Sequence, residues 1–66
     1  MKPQDKYDEY FVEFKNNEDK FGSRFTTFYE DSAIEFYNDK CKEYDYVELF
    51  GREWNEVSLE KRLAVK

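Results

Sequence analysis

The 66-residue chain has no histidine, one cysteine, one proline and two glycines. Without histidine the commonest general base is missing, and neither a Ser-His-Asp nor a Cys-His catalytic arrangement can be built. The lone thiol, Cys41, cannot close an intramolecular disulfide, and it has no histidine or second thiol with which to hold zinc. These absences argue against an enzyme and against a structural metal.

Loops that bind phosphate or calcium are missing as well. Gly22 and Gly51 stand far apart in the chain, so no glycine-rich phosphate loop can form. The acidic stretch at residues 16–19 lacks the spacing and the closing glutamate of a calcium loop. We therefore expect no nucleotide, no metal and no other cofactor.

Positive charge and long apolar runs are both scarce. Sixteen acidic residues against eleven basic ones give a net charge of -5. Such a charge repels nucleic acid and anionic membranes, and it steers the chain toward basic surfaces, including the clefts of proteins that bind DNA or RNA. No run approaches the roughly 20 apolar residues that span a bilayer, and the amino end lacks the apolar region of a signal peptide. We predict a cytoplasmic protein that binds neither nucleic acid nor membrane directly.

Aromatic residues, in contrast, are abundant: seven Phe, six Tyr and one Trp. The chain makes a single domain, residues 1–66, near the size at which burial only just offsets chain entropy. Its core does not need every ring, so some rings are expected to contact a partner. A homodimer is the simplest such partnership.

Alternating segments near the amino end predict a β-hairpin. Residues 10–15 alternate between two faces, which is the period of a strand. The polar stretch 16–20 and Gly22 predict the reversal, and residues 21–29 form a second strand rich in aromatic and β-branched residues. Both faces of that strand carry rings, which favours a sheet covered by a helix on one side and by a partner on the other.

The next segment, residues 31–45, predicts an α-helix. Asp31 or Ser32 can cap it, with Glu35 placed to complete a capping box. Phe36 lies beside the apolar stripe and is expected to flank the core. The stripe itself consists of Ala33, Ile34, Tyr37, Cys41 and Tyr44.

Two further strands are predicted after the helix. Residues 46–50 are β-prone, and Gly51 is expected to end this third strand. Apolar residues then recur at odd positions from Val57 to Val65, which predicts a fourth strand; a helix starting at Ser58 is the alternative. The order ββαββ indicates a small α+β domain, with an antiparallel sheet and one helix packed across a face.

Acidic residues recur every four positions within the predicted helix. Like charges at this spacing weaken a helix by a few tenths of a kcal/mol per pair, and such violations of local rules are expected at functional sites. The steps of about 6 Å, at about 1.5 Å rise per residue, resemble a strand of phosphates. A solvated helix face is the plainer interpretation. We call this set the acidic row: Asp31, Glu35, Asp39 and Glu43.

Three rings after the helix are candidates for contact with a partner: Tyr46, Phe50 and Trp54. Asp45 and Glu48 stand among them. Aromatic anchors rimmed by negative charge suit a basic cleft with an apolar pocket. The alternative is structural, with Trp54 covering the end of a hairpin and Tyr46 packing under the helix.

The stretch 45–51, DYVELFG, followed by EV at 56–57, resembles a stretch of the small phage-encoded inhibitors of uracil-DNA glycosylase. Members of that family are dimers that imitate DNA, and the aromatic residue after the aspartate enters the pocket that normally receives the enzyme's own DNA-probing loop. The resemblance gives this role to Tyr46, with Glu48 and Phe50 beside it. Tyr46 stands where the family has phenylalanine, and the family's stretch is closer to helical than to the strand predicted here.

Three functions are consistent with the sequence. The first is a phage or mobile-element inhibitor that blocks a host nucleic-acid-acting protein by DNA mimicry, with uracil-DNA glycosylase as the best single target. The second is a regulatory or assembly module without inhibitory activity, and the third is a structural homodimer that buries its own rings. The candidate partner-binding residues are Asp31, Glu35, Asp39, Glu43, Asp45, Tyr46, Glu48, Phe50 and Trp54.

Overall fold

The computed structural model describes residues 6–54 and 58–66. Four strands form one antiparallel sheet in the order β2-β1-β3-β4, and a helix lies across one face. The predicted α+β architecture is confirmed. The elements in chain order are β1 (Glu9–Lys15), β2 (Ser23–Thr27), α1 (Glu30–Cys41), β3 (Tyr46–Trp54) and β4 (Ser58–Val65).

Strand β1 is central because it pairs with both β2 and β3. Successive side chains of a strand point to opposite faces, and the even-numbered ones of β1 point toward the helix. Val12 lies in register between Phe25 of β2 and Leu49 of β3, so three apolar side chains form a row beneath α1. The buried cluster under the helix comprises Tyr10, Val12, Ala33, Val47 and Leu49.

Helix α1 begins at Glu30, at least two residues earlier than the predicted caps allow. Its N-cap is Tyr29, which makes no capping hydrogen bond through its side chain, so the prediction of Asp31 or Ser32 as the cap is wrong. Instead, the Tyr29 N–H donates to Thr27 Oγ1 at 3.3 Å. The acidic Glu30 and Asp31 stand in the first turn, where negative charge interacts favourably with the positive end of the helix dipole.

Four of the five residues of the predicted apolar stripe pack in the core, although Tyr44 does so from beyond the end of α1 at Cys41 and not from within the predicted helix 31–45. Ala33 is fully buried, and Tyr37, Cys41 and Tyr44 pack against the core. Ile34 is 43% exposed, so its assignment to the core is wrong. The reason is geometric: the helix rests on the sheet through its smallest residue, Ala33, and the next position is rotated about 100° toward solvent.

Phe36 flanks the core as predicted. Its ring stacks on Phe25 of β2 with centroids 4.1 Å apart and tilts against Phe14 of β1 at 5.5 Å. Lys40 lies over the same group of rings, with its Nζ 5.1 Å from the Phe36 centroid and 5.6 Å from that of Tyr44. This contact between a cation and ring faces closes one side of the core.

Gly51 does not end the third strand, because β3 continues to Trp54. A Cβ placed on Gly51 would lie 2.6 Å from Cγ and Cδ2 of Tyr7. The Tyr7 ring in turn meets Tyr10 edge-on, with centroids 5.8 Å apart. The glycine is therefore required for close approach of an aromatic ring to the sheet, and its predicted role as a terminator is wrong.

The strand alternative for the last segment is confirmed by β4. Leu49 pairs with Ala64 whereas Phe50 pairs with Arg62, so Leu63 is an extra residue that forms a bulge in this edge strand. Within the described residues, α1 contacts β1, β2 and β3 but not β4, and Leu59 is accordingly 56% exposed. Val57, the first residue of the predicted alternation, lies outside the described part of the chain.

Substituting Gly51→Ala should destabilise the protein by about 1–3 kcal/mol, because the new methyl group displaces the Tyr7 ring. Gly22→Ala is the matched control, since its Cβ would lie 3.5 Å from the nearest atom, an ordinary contact. We expect the control to stay within about 0.5 kcal/mol of the wild type. Urea unfolding measures both, and equal stabilities for the two variants would contradict the packing of Tyr7 on Gly51.

The hydroxyl of Tyr10 links the amino-terminal segment to the helix. It accepts hydrogen bonds from the N–H groups of Lys6 and Tyr7, at 3.0 and 3.1 Å, and donates to Glu30 Oε2 at 3.3 Å. Burial raises the pKa of Tyr10 above its usual value of 10.0, and the nearby Glu30 charge adds to the rise, against the opposing effect of the two backbone hydrogen bonds. Neutral tyrosine is thus favoured in the folded state.

This raised pKa predicts a loss of stability at alkaline pH. The contribution of Tyr10 is complete below the unfolded pKa of about 10 and is lost as pH rises through the folded pKa. Tyr10→Phe should therefore cost about 1–2 kcal/mol at pH 7, through lost hydrogen bonds, yet lose less further stability at pH 11 than the wild type does. Urea unfolding at both pH values tests this, and parallel losses in the two proteins would contradict it.

Candidate protein-binding surfaces

The structure places the acidic row and the candidate rings on opposite faces of the sheet. Val47 and Leu49 of β3 point into the core under α1. The alternate residues of β3 therefore point to the face without a helix, which we call the open face. The Cα atoms span only 14 Å along the shortest axis, so the molecule is thin in this direction. The helix side and the open face nevertheless point in opposite directions. The β3 candidates on the open face are Tyr46, Glu48, Phe50 and Trp54.

The acidic row is exposed at all four positions. Asp31, Glu35 and Asp39 follow one another along α1, one turn apart, whereas Glu43 lies in the turn beyond the end of the helix. The Glu43 carboxylate is 3.7 Å from Lys40 Nζ, across an exposed pair that adds little stability. The row is thus a feature of the outer side of α1 and of the turn that follows it.

The open face contains a buried ring without any helix above it. Phe11 of β1 points to this face, yet it is only 2% exposed. Phe50 stacks against it across the strands, with centroids 4.8 Å apart and ring planes 9° from parallel. The guanidinium carbons of Arg24 and Arg52 lie 4.4 and 5.0 Å from the Phe11 centroid. Planar guanidinium groups cover aromatic faces well, and they do so here from both neighbouring strands.

Carboxylates hold both arginines in place. Arg52 donates from Nη1 to Glu9 at 3.0 Å and from Nη2 to Glu60 at 2.7 Å, which links β1, β3 and β4. Arg24 forms a close ion pair with Glu13 that links β2 to β1. Among the described residues, Arg52 Nε has no hydrogen-bond partner. We call these five residues the arginine roof: Glu9, Glu13, Arg24, Arg52 and Glu60.

The arginine roof was missed at the level of sequence. Rings on both faces of the sheet suggested that a partner covers the second face, yet Phe11 is buried by side chains of its own chain. The signal was present in the alternation of arginine and glutamate with aromatic residues along the strands. Reading it requires the pairing register, which places Arg52 opposite both Glu9 and Glu60.

Three of the candidate partner-binding residues make contacts that hold the fold. Phe50 stacks on the ring beneath the arginine roof. Glu48 accepts a hydrogen bond from Arg62 of β4 at 3.0 Å. Asp45 accepts one from the backbone N–H of Asn17 at 2.8 Å and so fastens the end of the helix connection to the β1–β2 turn. Glu48 and Phe50 are accordingly only partly exposed, whereas Asp45 stays exposed.

Tyr46 is 52% exposed and lies on the open face, so the alternative that it packs under the helix is wrong. Lys15 Nζ lies 5.9 Å from its ring centroid. A groove of about 600 Å³ runs beside it, lined among others by Glu13, Arg24 and Lys66. The ring therefore stands at the margin of a surface depression with charged walls.

Trp54 lies at the other end of β3 and is 54% exposed. Its backbone N–H donates to Asp8 Oδ2 at 2.8 Å, and its indole Nε1 donates to Glu9 Oε1 at 3.4 Å. Phe28 meets the indole edge-to-face, with centroids 5.7 Å apart and ring planes at 88°. Phe28, also 54% exposed, was not among the candidate residues. We call Phe28 and Trp54 the aromatic corner.

No family model matches the chain, and no curated protein or solved structure is significantly similar to it. The resemblance to the glycosylase inhibitors therefore depends on residues 45–51 and 56–57 alone. Within the first stretch the backbone from Tyr46 onward is β-strand, whereas the family's stretch is closer to helical. The second stretch lies outside the described residues.

Two further features concern the described residues as a whole. Residues 6–54 and 58–66 contain no group of three His, Cys, Asp or Glu side chains that could hold a metal ion. No described helix has both the length and the apolar character needed to span a bilayer.

The two rings on β3 should differ in their contribution to stability. Phe50→Ala should cost about 2–3 kcal/mol, because it removes the ring stacked on buried Phe11. Tyr46→Ala should cost no more than about 0.5 kcal/mol, because the ring is half exposed. Urea unfolding of both variants tests this assignment. A large loss in Tyr46→Ala would show that this ring is structural and unsuited to binding tests.

Proposed function

We propose that the protein is a small inhibitor that binds a host protein with a basic, nucleic-acid-binding cleft and presents carboxylates where phosphates would lie. The observation that carries the proposal is the exposed acidic row along the outer side of α1. The side-chain carboxylates of Glu35 and Asp39 make no hydrogen bond or ion pair within the described residues, so their charge is available to a partner. A phage or mobile-element origin and action in the host cytoplasm belong to the same proposal.

The charge of the whole chain supports this function. A net charge of -5 creates an electrostatic field that attracts the basic surfaces of other proteins and repels nucleic acid. Complementary charge acts mainly on the rate and orientation of encounter, whereas affinity depends on buried anchor residues. The acidic row would supply the charge, and the exposed ring of Tyr46, at the start of β3, would supply the anchor.

The end of the molecule where α1 leads into β3 is the proposed contact surface. Helix α1 ends at Cys41 and β3 begins at Tyr46, so a short connection joins the acidic row to the strand that carries Tyr46, although the Tyr46 ring points to the open face. Uracil-DNA glycosylase is the best single target, on the resemblance of residues 45–51, with Tyr46 as the anchor. Trp54 lies about 26 Å along β3, at about 3.3 Å per residue, and belongs to another surface.

A second function is a protein-interaction module that does not mimic DNA. It is favoured by the open face, where Glu9, Glu13 and Glu60 are all paired with arginines and do not resemble phosphates. Such a module could be regulatory or structural. Self-association also stays a prediction, and the uncovered strand β4, with exposed Leu59 and Val65, is the surface that favours a second copy.

Neutralising the acidic row should slow association with the target. The test variant is Glu35→Gln/Asp39→Asn, and the control is Glu18→Gln/Glu53→Gln, which changes the net charge equally elsewhere. We expect the row variant to associate at least several-fold more slowly at low salt and to lose much of the salt dependence, while the control keeps both. The onset of inhibition in a uracil-excision assay measures these rates.

The same assay tests the anchor and the target. Near-stoichiometric inhibition by the wild type, weakened in Tyr46→Ala, would support uracil-DNA glycosylase as the target. Inhibition by the row variant at the wild-type rate in low salt would mean that the row is only a solvated helix face. No inhibition at all would overturn this target and leave the non-mimic module as the better function.

A further inference from the structure

The aromatic corner of Phe28 and Trp54 forms a second exposed surface, at the opposite end of β3 from Tyr46. Two half-exposed rings stand at 88° to each other, so they form two walls of a shallow site that is open to solvent. The indole is fixed by hydrogen bonds from its ring nitrogen to Glu9 and from its backbone to Asp8. The site is therefore held in shape by carboxylates that lie at its base.

The other ring clusters show how this chain treats exposed aromatic faces. Arg24 and Arg52 lie over Phe11, Lys40 lies over Phe36, and Lys15 lies over Tyr46. Among the described lysines and arginines, none lies over Phe28 or Trp54. Tryptophan is nevertheless the side chain that attracts cations most strongly through its ring face. The corner thus has two ring walls without a cation over either ring among the described residues. Of the two carboxylates beside it, Glu9 is paired with Arg52, whereas Asp8 makes no ion pair within the described residues.

We propose that the aromatic corner binds an arginine side chain of a basic protein partner. The guanidinium plane would stack on the indole face of Trp54 with Phe28 as the second wall. The Asp8 carboxylate would accept its hydrogen bonds, since Glu9 already accepts from Arg52 and from the indole N–H. This surface lies at the opposite end of β3 from Tyr46 and includes neither Glu35 nor Asp39, so a partner can use it whether or not the DNA-mimic proposal holds.

Trp54 is the only tryptophan in the chain, so its fluorescence and its indole N–H resonance both report on the corner alone. The probe is a capped peptide of two arginines separated by glycines, and its control is the same peptide with uncharged citrulline in place of arginine. We expect a saturable change in Trp54 emission and a shift of the indole N–H peak with the arginine peptide only. Added salt should weaken both changes.

Phe28→Ala is the test variant, and Phe21→Ala is its control because Phe21 is an exposed ring, 81% accessible, in the β1–β2 turn. Phe28→Ala should weaken peptide binding about threefold, while Phe21→Ala should leave it unchanged. The acidic-row variant Glu35→Gln/Asp39→Asn should bind the peptide as the wild type does, which separates this result from the fate of the proposed function.

Three outcomes would overturn the proposal. The first is that neither the emission nor the indole resonance responds to the arginine peptide. The second is that the citrulline peptide produces the same changes, which would remove the role of charge. The third is a result that places the binding elsewhere. Either Phe28→Ala binding as tightly as Phe21→Ala, or loss of the response in the acidic-row variant, would be such a result.

Discussion

The fold depends on how Phe11 is buried on a sheet face that has no helix. A two-layer domain of this size covers only one face of its sheet, and a large ring on the other face would ordinarily stay wet or require a partner. Here Phe50 and the guanidinium groups of Arg24 and Arg52 enclose the ring. Because carboxylates from β1 and β4 bind Arg52, the contacts that exclude water from the Phe11 ring also link three strands, β1, β3 and β4.

This arrangement divides the acidic residues into two groups with different roles. Glu9, Glu13, Glu48 and Glu60 are paired with arginines on the open face and stabilise the sheet. The acidic row lies on the helix side of the sheet and is exposed. The net charge of the chain therefore overstates the unpaired negative charge that a partner would meet on the open face, but not the charge that it would meet on the helix side. The proposed functions follow this division: the helix end suits a basic cleft, and the aromatic corner suits a single cation.

Features set by local patterns were predictable, and features set by long-range contacts were not. The alternation in β1 and the apolar stripe of α1 reflect which side faces the core; the alternation was confirmed, and so was the stripe except at Ile34. The role of Gly51 depends on the Tyr7 ring, more than 40 positions away, and no local signal near the glycine reports it. Similarly, Glu48 was predicted to belong to a binding rim, but its carboxylate accepts a hydrogen bond from Arg62 on the neighbouring strand β4. Phe28 was missed because its partner Trp54 is distant in sequence.

The central claim is that the Arg52 guanidinium covers Phe11, and a double-mutant cycle tests it most directly. Phe11→Leu, Arg52→Lys and the double variant would be unfolded in urea; lysine keeps the charge but lacks the planar group that stacks on the ring and bridges Glu9 to Glu60. The account predicts a coupling free energy of about 1 kcal/mol between the two positions. If the changes in unfolding free energy of the two single variants add up to that of the double variant within about 0.3 kcal/mol, the account is contradicted, because the burial of Phe11 would then not depend on its contact with Arg52.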